Sequence, residues 1–527
     1  ERTIQFRATT RSARAISRSQ DYQQNTFELC LIHTVFVIFM DNFSFSESRV
    51  LETLLNAKKR GMEFMGSATS DFQSNPRRSA TPFGAAPRSD WEMQVYRIFR
   101  DQTSKILGQQ DMAAFPHFFS KKDLYVKRCV ELRENMFRLS FDFGRLCPKP
   151  GEFDVALMRE YISVLALVRD QGLEPMVTLY HWPSPAYLLK LGRDEKVLAG
   201  AWEHEDILYH FQAYLQNVLH FLTDRDFIRQ ILQRDGYSRE KQDKLLSEGL
   251  VRYFISVNEP INLLLPTYIL GLFPPFKKLR FDLAKKVLRK LILAHDMVIT
   301  EIRNSKLPAV RGPLKIGASH NWTFFDGLFK NFFHSLVNAK LARRFEQSQK
   351  ETDFIGLHYF FRLKLSPFGR HKKVYGDDPY FGDVHPPGMF KVLKQISTEY
   401  PGKDIFVTEF GFSDSYDHRR PYWILETMRQ MIDALTHQIP VKGVLLWTLV
   451  NNFEWNLGMQ QKFGLFEESE LSQPLVPSTG EKIKSWEVWS AATRTFLEPT
   501  RENLAEMQRL YELAKRQFQS AIVEQNI

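Results

Sequence analysis

At 527 residues, with 43% hydrophobic and 25% charged residues, the chain is long enough for one large domain or two to three ordinary ones, and its balance is that of a globular protein. The formal charge of +10 raises nucleic acid or an anionic membrane as partners, but the excess is scattered, as in Lys58-Lys59-Arg60, Arg77-Arg78 and Lys277-Lys278. No zinc-finger spacing or RNA-binding aromatic motif accompanies it, which speaks against nucleic acid and leaves a peripheral membrane contact open. Three cysteines, Cys30, Cys129 and Cys147, with no CxxC pair, argue against a disulfide framework and a zinc site, and make a reduced cytoplasmic compartment the default.

Along the chain, residues 1–26 carry Arg2, Arg7, Arg11, Arg14 and Arg18 among many Ser and Thr, a composition like that of an organelle transit peptide. Residues 27–40 follow as an apolar run, too short for a helix to span a bilayer core of about 30 Å. Residues 1–61 therefore read as an extension that is disordered, a targeting segment or a translation artefact ahead of Met40, so organelle targeting stands beside the cytoplasmic default.

From residue 62 to 498, short β-rich runs alternate with longer amphipathic helices, the pattern of a parallel sheet with crossover helices. The predicted strands are 63–67, 136–140, 175–180, 253–258, 315–320, 354–359, 405–409 and 443–449. Eight strands so interleaved predict a closed (β/α)8 barrel, an α/β fold, with long βα-loop insertions over the minimal size of about 250 residues. A helix over 155–171 places Met158, Ile162, Leu165 and Val168 on one face and stops at Gly172, and a second stripe runs through Ile207, Phe211, Leu215, Val218 and Leu222. Residues 74–90, 223–249 and 366–387 read as insertions or loops, and 499–527 as an amphipathic helix carrying Leu504, Met507, Tyr511 and Leu513 that packs on the barrel.

Catalytic groups of such barrels sit where strands end and βα loops begin. Glu259 ends the fourth predicted strand and Glu409 the seventh, nearly opposite in an eight-membered ring. A single Glu at a strand end is more often solvated or salt-bridged, but both acids emerge from buried strands, Phe254-Ile255 and Ile405-Phe406, where desolvation can drive two carboxyl pKa values apart. Such a pair suits glycoside hydrolysis, which needs one carboxyl to protonate the leaving oxygen and one to attack the anomeric carbon.

The chain resembles glycoside hydrolase family 1, the β-glucosidase family. The likeness runs in order through Gly66-Ser67-Ala68-Thr69-Ser70 with Gln73, Phe137-Arg138-Leu139-Ser140, Thr178-Leu179-Tyr180-His181-Trp182, Asn258-Glu259-Pro260, Asp353-Phe354-Ile355-Gly356, Thr408-Glu409-Phe410-Gly411, and Trp447 through Trp455. The resemblance implies Glu259 as acid/base and Glu409 as nucleophile of a retaining double displacement, with no metal and no cofactor. It implies that Arg138 holds Glu409 ionised, that Asn258 donates to the sugar 2-hydroxyl, and that Gln73, His181, Trp182, Glu454, Trp455 and Phe463 bind the substrate over a Trp447 platform. Taken alone, His181 and Trp447 read as core and Arg138 as a structural ion pair; their joint occurrence at strand ends favours binding.

Departures from the family pattern are Pro183-Ser184 after His-Trp, Phe410 after the nucleophile, Asn451, His358 in place of Asn on the sixth strand, and Phe360 where the family has a tyrosine contacting the nucleophile. Tyr359 is a poor substitute, because adjacent strand residues face opposite ways. Glu454-Trp455 favours a non-phosphorylated sugar. The stretches 413–422 and 462–465 are similar to the plant branch that transfers galactose between galactolipids. The expectation is a hydrolase of β-glucosides or β-galactosides, with a glycolipid transglycosylase and a non-catalytic sugar-binding relative as alternatives. No GxGxxG, P-loop or HExxH stands in the chain.

Overall fold

The computed structural model describes residues 47–75, 87–100, 104–109, 115–193, 195–327, 352–366, 369–370, 384–480 and 482–525. The chain divides into Glu1–Glu52, of which only the start of the helix Glu47–Lys59 is described, and one compact unit, Thr53–Ile527. The expected targeting segment and apolar run at 1–40, and most of the insertions at 74–90 and 366–387, lie outside the described residues. Among the described residues no helix is long and apolar enough to cross a membrane.

Eight parallel strands close a barrel: β1 (Phe64–Ala68), β2 (Met136–Ser140), β3 (Glu174–Thr178), β4 (Tyr253–Asn258), β5 (Lys315–Asn321), β6 (Phe354–Tyr359), β7 (Asp404–Phe410) and β8 (Val441–Trp447). They neighbour one another in chain order, and β8 pairs with β1 in register from Phe64↔Gly443 to Ala68↔Trp447. Crossover helices are α1 (Phe118–Glu131), α2 (Val155–Asp170), α3 (Ile207–Thr223), α4 (Phe281–Asn304), α5 (Pro387–Glu399), α6 (Arg420–Thr436) and α7 (Ser485–Leu497). The architecture is a (β/α)8 barrel. All eight predicted strands form, with no end shifted by more than two residues.

The helices follow from their sequences. In α2 the stripe Met158, Ile162, Leu165 and Val168 is buried, Asp154 caps the start by accepting from the Leu157 amide at 2.8 Å, and Gly172 just beyond the end takes φ 83°. The polar insertion at 223–249 forms two helices, Arg225–Arg234 and Arg239–Glu248, capped by Asp224 and Ser238. A last helix, α8 (Arg501–Gln525), lays Leu504, Met507, Leu510, Ala514 and Phe518 against α6 and α7. Tyr511 and Leu513, expected in that seam, are half-buried; the Tyr511 hydroxyl instead donates to Glu426 at 2.9 Å.

Inside the barrel, inward positions run from apolar to polar along β2, β4, β6 and β7. Phe64, Tyr253, Phe354 and Phe406, near the strand starts, plug the N-terminal end, with Phe354 and Phe406 centroids 4.9 Å apart. Nearer the strand ends, His358 on β6, Asn258 on β4 and Glu409 on β7 form the layer that carries the chemistry.

Glu134, just ahead of β2, ties β1 to α7 by accepting from Ser67 Oγ at 2.5 Å and Trp489 Nε1 at 2.7 Å. Burial pushes its carboxyl up to about 7, against the pull of those neutral donors. A carboxyl whose folded pKa lies above its unfolded value of about 4.3 contributes stability at low pH that is lost as pH rises through the folded pKa. Glu134→Gln therefore raises thermal stability at pH 8, by on the order of 3 kcal/mol at most, and leaves it near wild type at pH 4. Melting curves at both pH values check this; an equal gap at both would refute it.

Candidate active site

Arg138 stands on β2 two residues beyond Met136 and is fully buried. Its guanidinium spends its donors on three other strands. Nη1 donates to Glu409 Oε1 at 2.5 Å and to the Thr408 carbonyl at 3.1 Å, Nη2 to Asn258 Oδ1 at 2.6 Å, and Nε to Thr178 Oγ1 at 3.0 Å. Thr178 and Asn258 end their strands and Thr408 and Glu409 lie near the end of β7, so one cation gathers β2, β3, β4 and β7 at the C-terminal mouth.

Two irregularities aim the acids inward. On β7, Val407 pairs with Leu357 and Glu409 with His358, leaving Thr408 as an extra residue, a bulge of the kind that re-aims a side chain. On β4 the register to β5 shifts between Ile255 and Asn258, and Glu259 then takes φ 42°, ψ 59° before a helix opened by Pro260. Trp182 and Trp455 also hold positive φ, at 84° and 50°. Left-handed backbone at non-glycine residues costs of order 1–3 kcal/mol each and concentrates at functional sites. Beyond Glu409, Gly411 lies so close to the Trp447 carbonyl that an added Cβ would stand 2.2 Å from it.

The structure brings the sequence-predicted residues together. Asn258 Nδ2 lies 3.2 Å from His181 Nε2, and Trp182 Nε1 donates to the Asn258 carbonyl at 3.0 Å. The His181 ring stacks at 6.0 Å on both Trp447 and Trp455. Gln73 accepts from Ser70 Oγ at 2.6 Å and donates to the Phe453 carbonyl at 2.7 Å. Phe463 packs edge-on against Phe360 at 5.8 Å, and Glu454 is near enough for its charge to act on Glu259. Phe410 faces away, packed on Trp423 and Trp489, and the Tyr359 hydroxyl donates outward to the His385 carbonyl at 2.6 Å, as strand alternation requires.

His358 has a place in this site that the sequence reading did not give it. Its Nδ1 lies 2.6 Å from Glu259 Oε1 and 3.2 Å from Glu409 Oε2, while Nε2 lies 3.4 Å from Arg138 Nη1. The short distances suggest ion pairs, but burial and then the Arg138 charge, with His181 and His320 beyond it, hold the imidazole well below its usual range, so the ring is neutral. Arginine offers no acceptor, so an N–H has no place on Nε2 and Nδ1 carries the proton. The signal was available: His358 shares the inward face of β6 with Phe354 and Gly356.

The two carboxyls differ. Burial, then the charges of Glu409 and Glu454, push Glu259 well above the usual carboxylate range, against Arg138 and a hydrogen bond from Asn262. Burial pushes Glu409 up to about 7, with Arg138 pulling it down. Arg138 acts on Glu409 in the expected direction, favouring its ionised form, while desolvation opposes it. One ligand atom each of Glu259, His358 and Glu409 lies within 4.8 Å of the others, close enough to hold a cation. The Arg138 guanidinium, 2.5 Å from Glu409 Oε1, sets a fixed positive charge against one.

Fold and site together define a (β/α)8 barrel with a buried pair of unlike carboxyls at its C-terminal mouth. The model of glycosyl hydrolase family 1 matches residues 64–229 and 370–473, just over half of the chain, and the chain belongs to that family. It is 28% identical over 371 residues to the chloroplastic β-glucosidase-like protein SFR2 of Oryza sativa, covering 66% of this chain and 52% of that protein. It is 25% identical over 372 residues to the chloroplastic galactolipid galactosyltransferase SFR2 of Arabidopsis thaliana, covering 66% and 54%, so the chain spans about half the length of these two relatives. A β-galactosidase of Sulfolobus acidocaldarius is 22% identical over 518 residues, covering 84% of this chain and 95% of that one. The solved β-glucosidase of Thermotoga maritima in complex with galacto-hydroximolactam shares the fold with a TM-score of 0.63 at 18% identity, covering 84% of this chain and 98% of that one.

Arg138→Met keeps much of the side-chain volume and removes the charge. The Glu409 carboxyl then rises above about 7, because the group that lowers it is gone. Infrared titration of the carboxylate band, with Glu409→Gln as the blank, reads this directly; an unchanged midpoint would show that Arg138 does not set it.

Proposed function

We propose that the chain is a retaining β-glycosidase acting on non-phosphorylated β-glucosides or β-galactosides, with Glu259 as general acid/base and Glu409 as nucleophile. The observation that carries this reading is the approach of the two carboxyls, with oxygens within 4.8 Å of each other in a buried site. Retaining enzymes hold their carboxyls about 5–5.5 Å apart, whereas inverting ones leave about 6.5–9.5 Å for a water.

In the first step a Glu409 oxygen bonds to the anomeric carbon while the glycosidic C–O bond breaks, and Glu259 gives its proton to the leaving oxygen. In the second, Glu259 takes a proton from water, the water oxygen bonds to the anomeric carbon, and Glu409 is released. The raised pKa of Glu259 keeps its proton available near neutral pH, and Glu409 must be ionised to attack. Around them, His181 offers a buried Nδ1 with no hydrogen-bond partner, and Gln73, Asn258, Glu454 and Trp455 supply further polar groups for sugar hydroxyls. Trp447 and Trp182 give flat apolar faces, and Phe463 closes the wall beside Phe360.

Nitrophenyl β-glucoside and β-galactoside test this reading. Turnover is expected with at least one, lowered by about three orders of magnitude in Glu409→Gln, with the β-anomer as first product by proton NMR. A folded protein inert to both sugars would sink the hydrolase reading, and an α-anomer formed first would sink retention.

A second reading, transfer of the sugar to a lipid-borne hydroxyl, is favoured by the loop that follows Glu259. There Leu279 and Phe281 are 71% and 65% exposed, with Leu270 beside Lys278 and Lys105 lying 4.3 Å over the Phe276 ring. Lys105 is held below its usual range by burial and by Lys278 and Lys196, which marks a crowded cationic rim around these apolar side chains. Apolar tips ringed by cations suit an anionic membrane surface. The wild type should then sediment with anionic phospholipid vesicles that contain a galactolipid, and lengthen that lipid by one sugar. Leu279→Asp with Phe281→Asp should lose both while still cleaving nitrophenyl glycosides; sedimentation untouched by the double change would remove the basis for this reading.

A further inference from the structure

The two carboxyls meet at a single N–H. His358 Nδ1 lies 2.6 Å from Glu259 Oε1 and 3.2 Å from Glu409 Oε2, and the ring is fully buried on β6, between the strands that carry the acids. We propose that His358 is a positioning residue for both: its Nδ1–H is a shared donor that fixes the two carboxyls relative to each other and decides which Glu259 oxygen bears the acid proton. The inference rests on the roles given above to Glu259 and Glu409.

The argument is one of donors and acceptors. Arg138 Nη1 faces His358 Nε2 at 3.4 Å and offers no acceptor, so an N–H has no place on Nε2 and the ring carries its proton on Nδ1. An oxygen that accepts this N–H cannot also hold the acid proton in the same direction. Glu259 Oε1 is therefore the carbonyl-like oxygen, and the proton rests on Oε2. On Glu409 the two oxygens take different donors, Arg138 Nη1 on Oε1 at 2.5 Å and His358 Nδ1 on Oε2 at 3.2 Å. The carboxylate plane is thereby held at both ends, which limits rotation before attack. Phe360, close by, has no hydroxyl that could share the task.

A strand-borne imidazole suits this role because its ring is rigid and its far nitrogen faces Arg138. The charged and titratable groups that bear on it are Arg138 from β2, His181 beyond β3, Glu259 beyond β4, His320 from β5 and Glu409 from β7. Three of these, Arg138, His181 and His320, act against a second proton on the ring, and burial adds to that. The ring thus stays a neutral donor while the acids cycle around it, and no proton passes through it.

The test is kinetic and spectroscopic, on the full chain. In His358→Ala, kcat on the nitrophenyl glycoside is expected to fall roughly 10- to 100-fold, the effect of losing one hydrogen bond to a charged group. KM should stay within about threefold, since the sugar contacts remain. Both limbs of the pH profile of kcat/KM should move to higher pH, because the donor that stabilises both carboxylate anions is gone. His358→Asn, whose amide can donate over a shorter reach, should lie between, and it serves with His358→Gln if the alanine variant fails to fold. A kcat within twofold of wild type, or a loss equal at every pH with unmoved limbs, would overturn the proposal.

A second readout does not depend on turnover. The Nδ1–H should give a downfield proton resonance that is absent in His358→Asn and moves in both Glu259→Gln and Glu409→Gln. A resonance that ignores either acid would overturn the shared-donor role. A protein that shows the resonance and both shifts but cleaves no glycoside would overturn the glycosidase reading and leave the positioning geometry standing.

Discussion

Everything at the mouth of this barrel depends on keeping one guanidinium charged inside it. Moving a cation from water into a protein interior costs several kcal/mol even after relaxation, and the cost is met only if its donors find well-placed acceptors. Arg138 finds Glu409, Asn258, Thr178 and the Thr408 carbonyl, on three strands and all within two residues of a strand end. None can move without stranding part of the charge. The bulge at Thr408 follows from the same demand: it presents both the Thr408 carbonyl and the Glu409 carboxylate to one nitrogen. Rigidity at the site is thus a consequence of burying the charge.

That constraint also orders the titrating groups. Desolvation acts on both acids alike, but Arg138 touches only Glu409, while Glu259 feels the negative charges of Glu409 and Glu454. A shared environment is split into two unlike carboxyls by the placement of one cation, which is the asymmetry that acid–base chemistry needs. Burial also keeps His181 and His358 neutral, so both serve as hydrogen-bonding groups and add no further charge.

How much of this could be read from the sequence differs by element. The strands were legible because each is a short β-rich run bounded by longer helical stripes, and a barrel strand buried on both faces admits little else. Glu259 and Glu409 were legible as strand-end acids. What could not be read was geometry that depends on one extra residue: nothing in Val407-Thr408-Glu409 announces a bulge, and without it Glu409 would alternate to the wrong face. The insertion at 223–249 reads from its composition only as polar and charged; its helices rest on Phe227, Ile228, Ile231 and Leu232, a narrow stripe among many charges that still buries one face. His358 was noticed only as a departure from a pattern, since its weight comes from an Nδ1 position that no sequence feature encodes.

The departures sort by depth. Phe410 and Tyr359 sit on the outer face of their strands, where packing on the helix layer decides the residue and the pocket is not involved. Asn451 is used locally, its side-chain oxygen accepting from the Gly464 amide at 2.7 Å. His358 bears directly on the reacting acids, with an imidazole N–H where the family has an amide, and Phe360 offers no hydroxyl. A site that has an imidazole in place of an amide, and a phenyl ring in place of a phenol, loses donors near the nucleophile, but the one it keeps touches both carboxyls at once. Coupling between the two acids is therefore tighter here than two independently solvated groups would show, and their titration belongs to the pair.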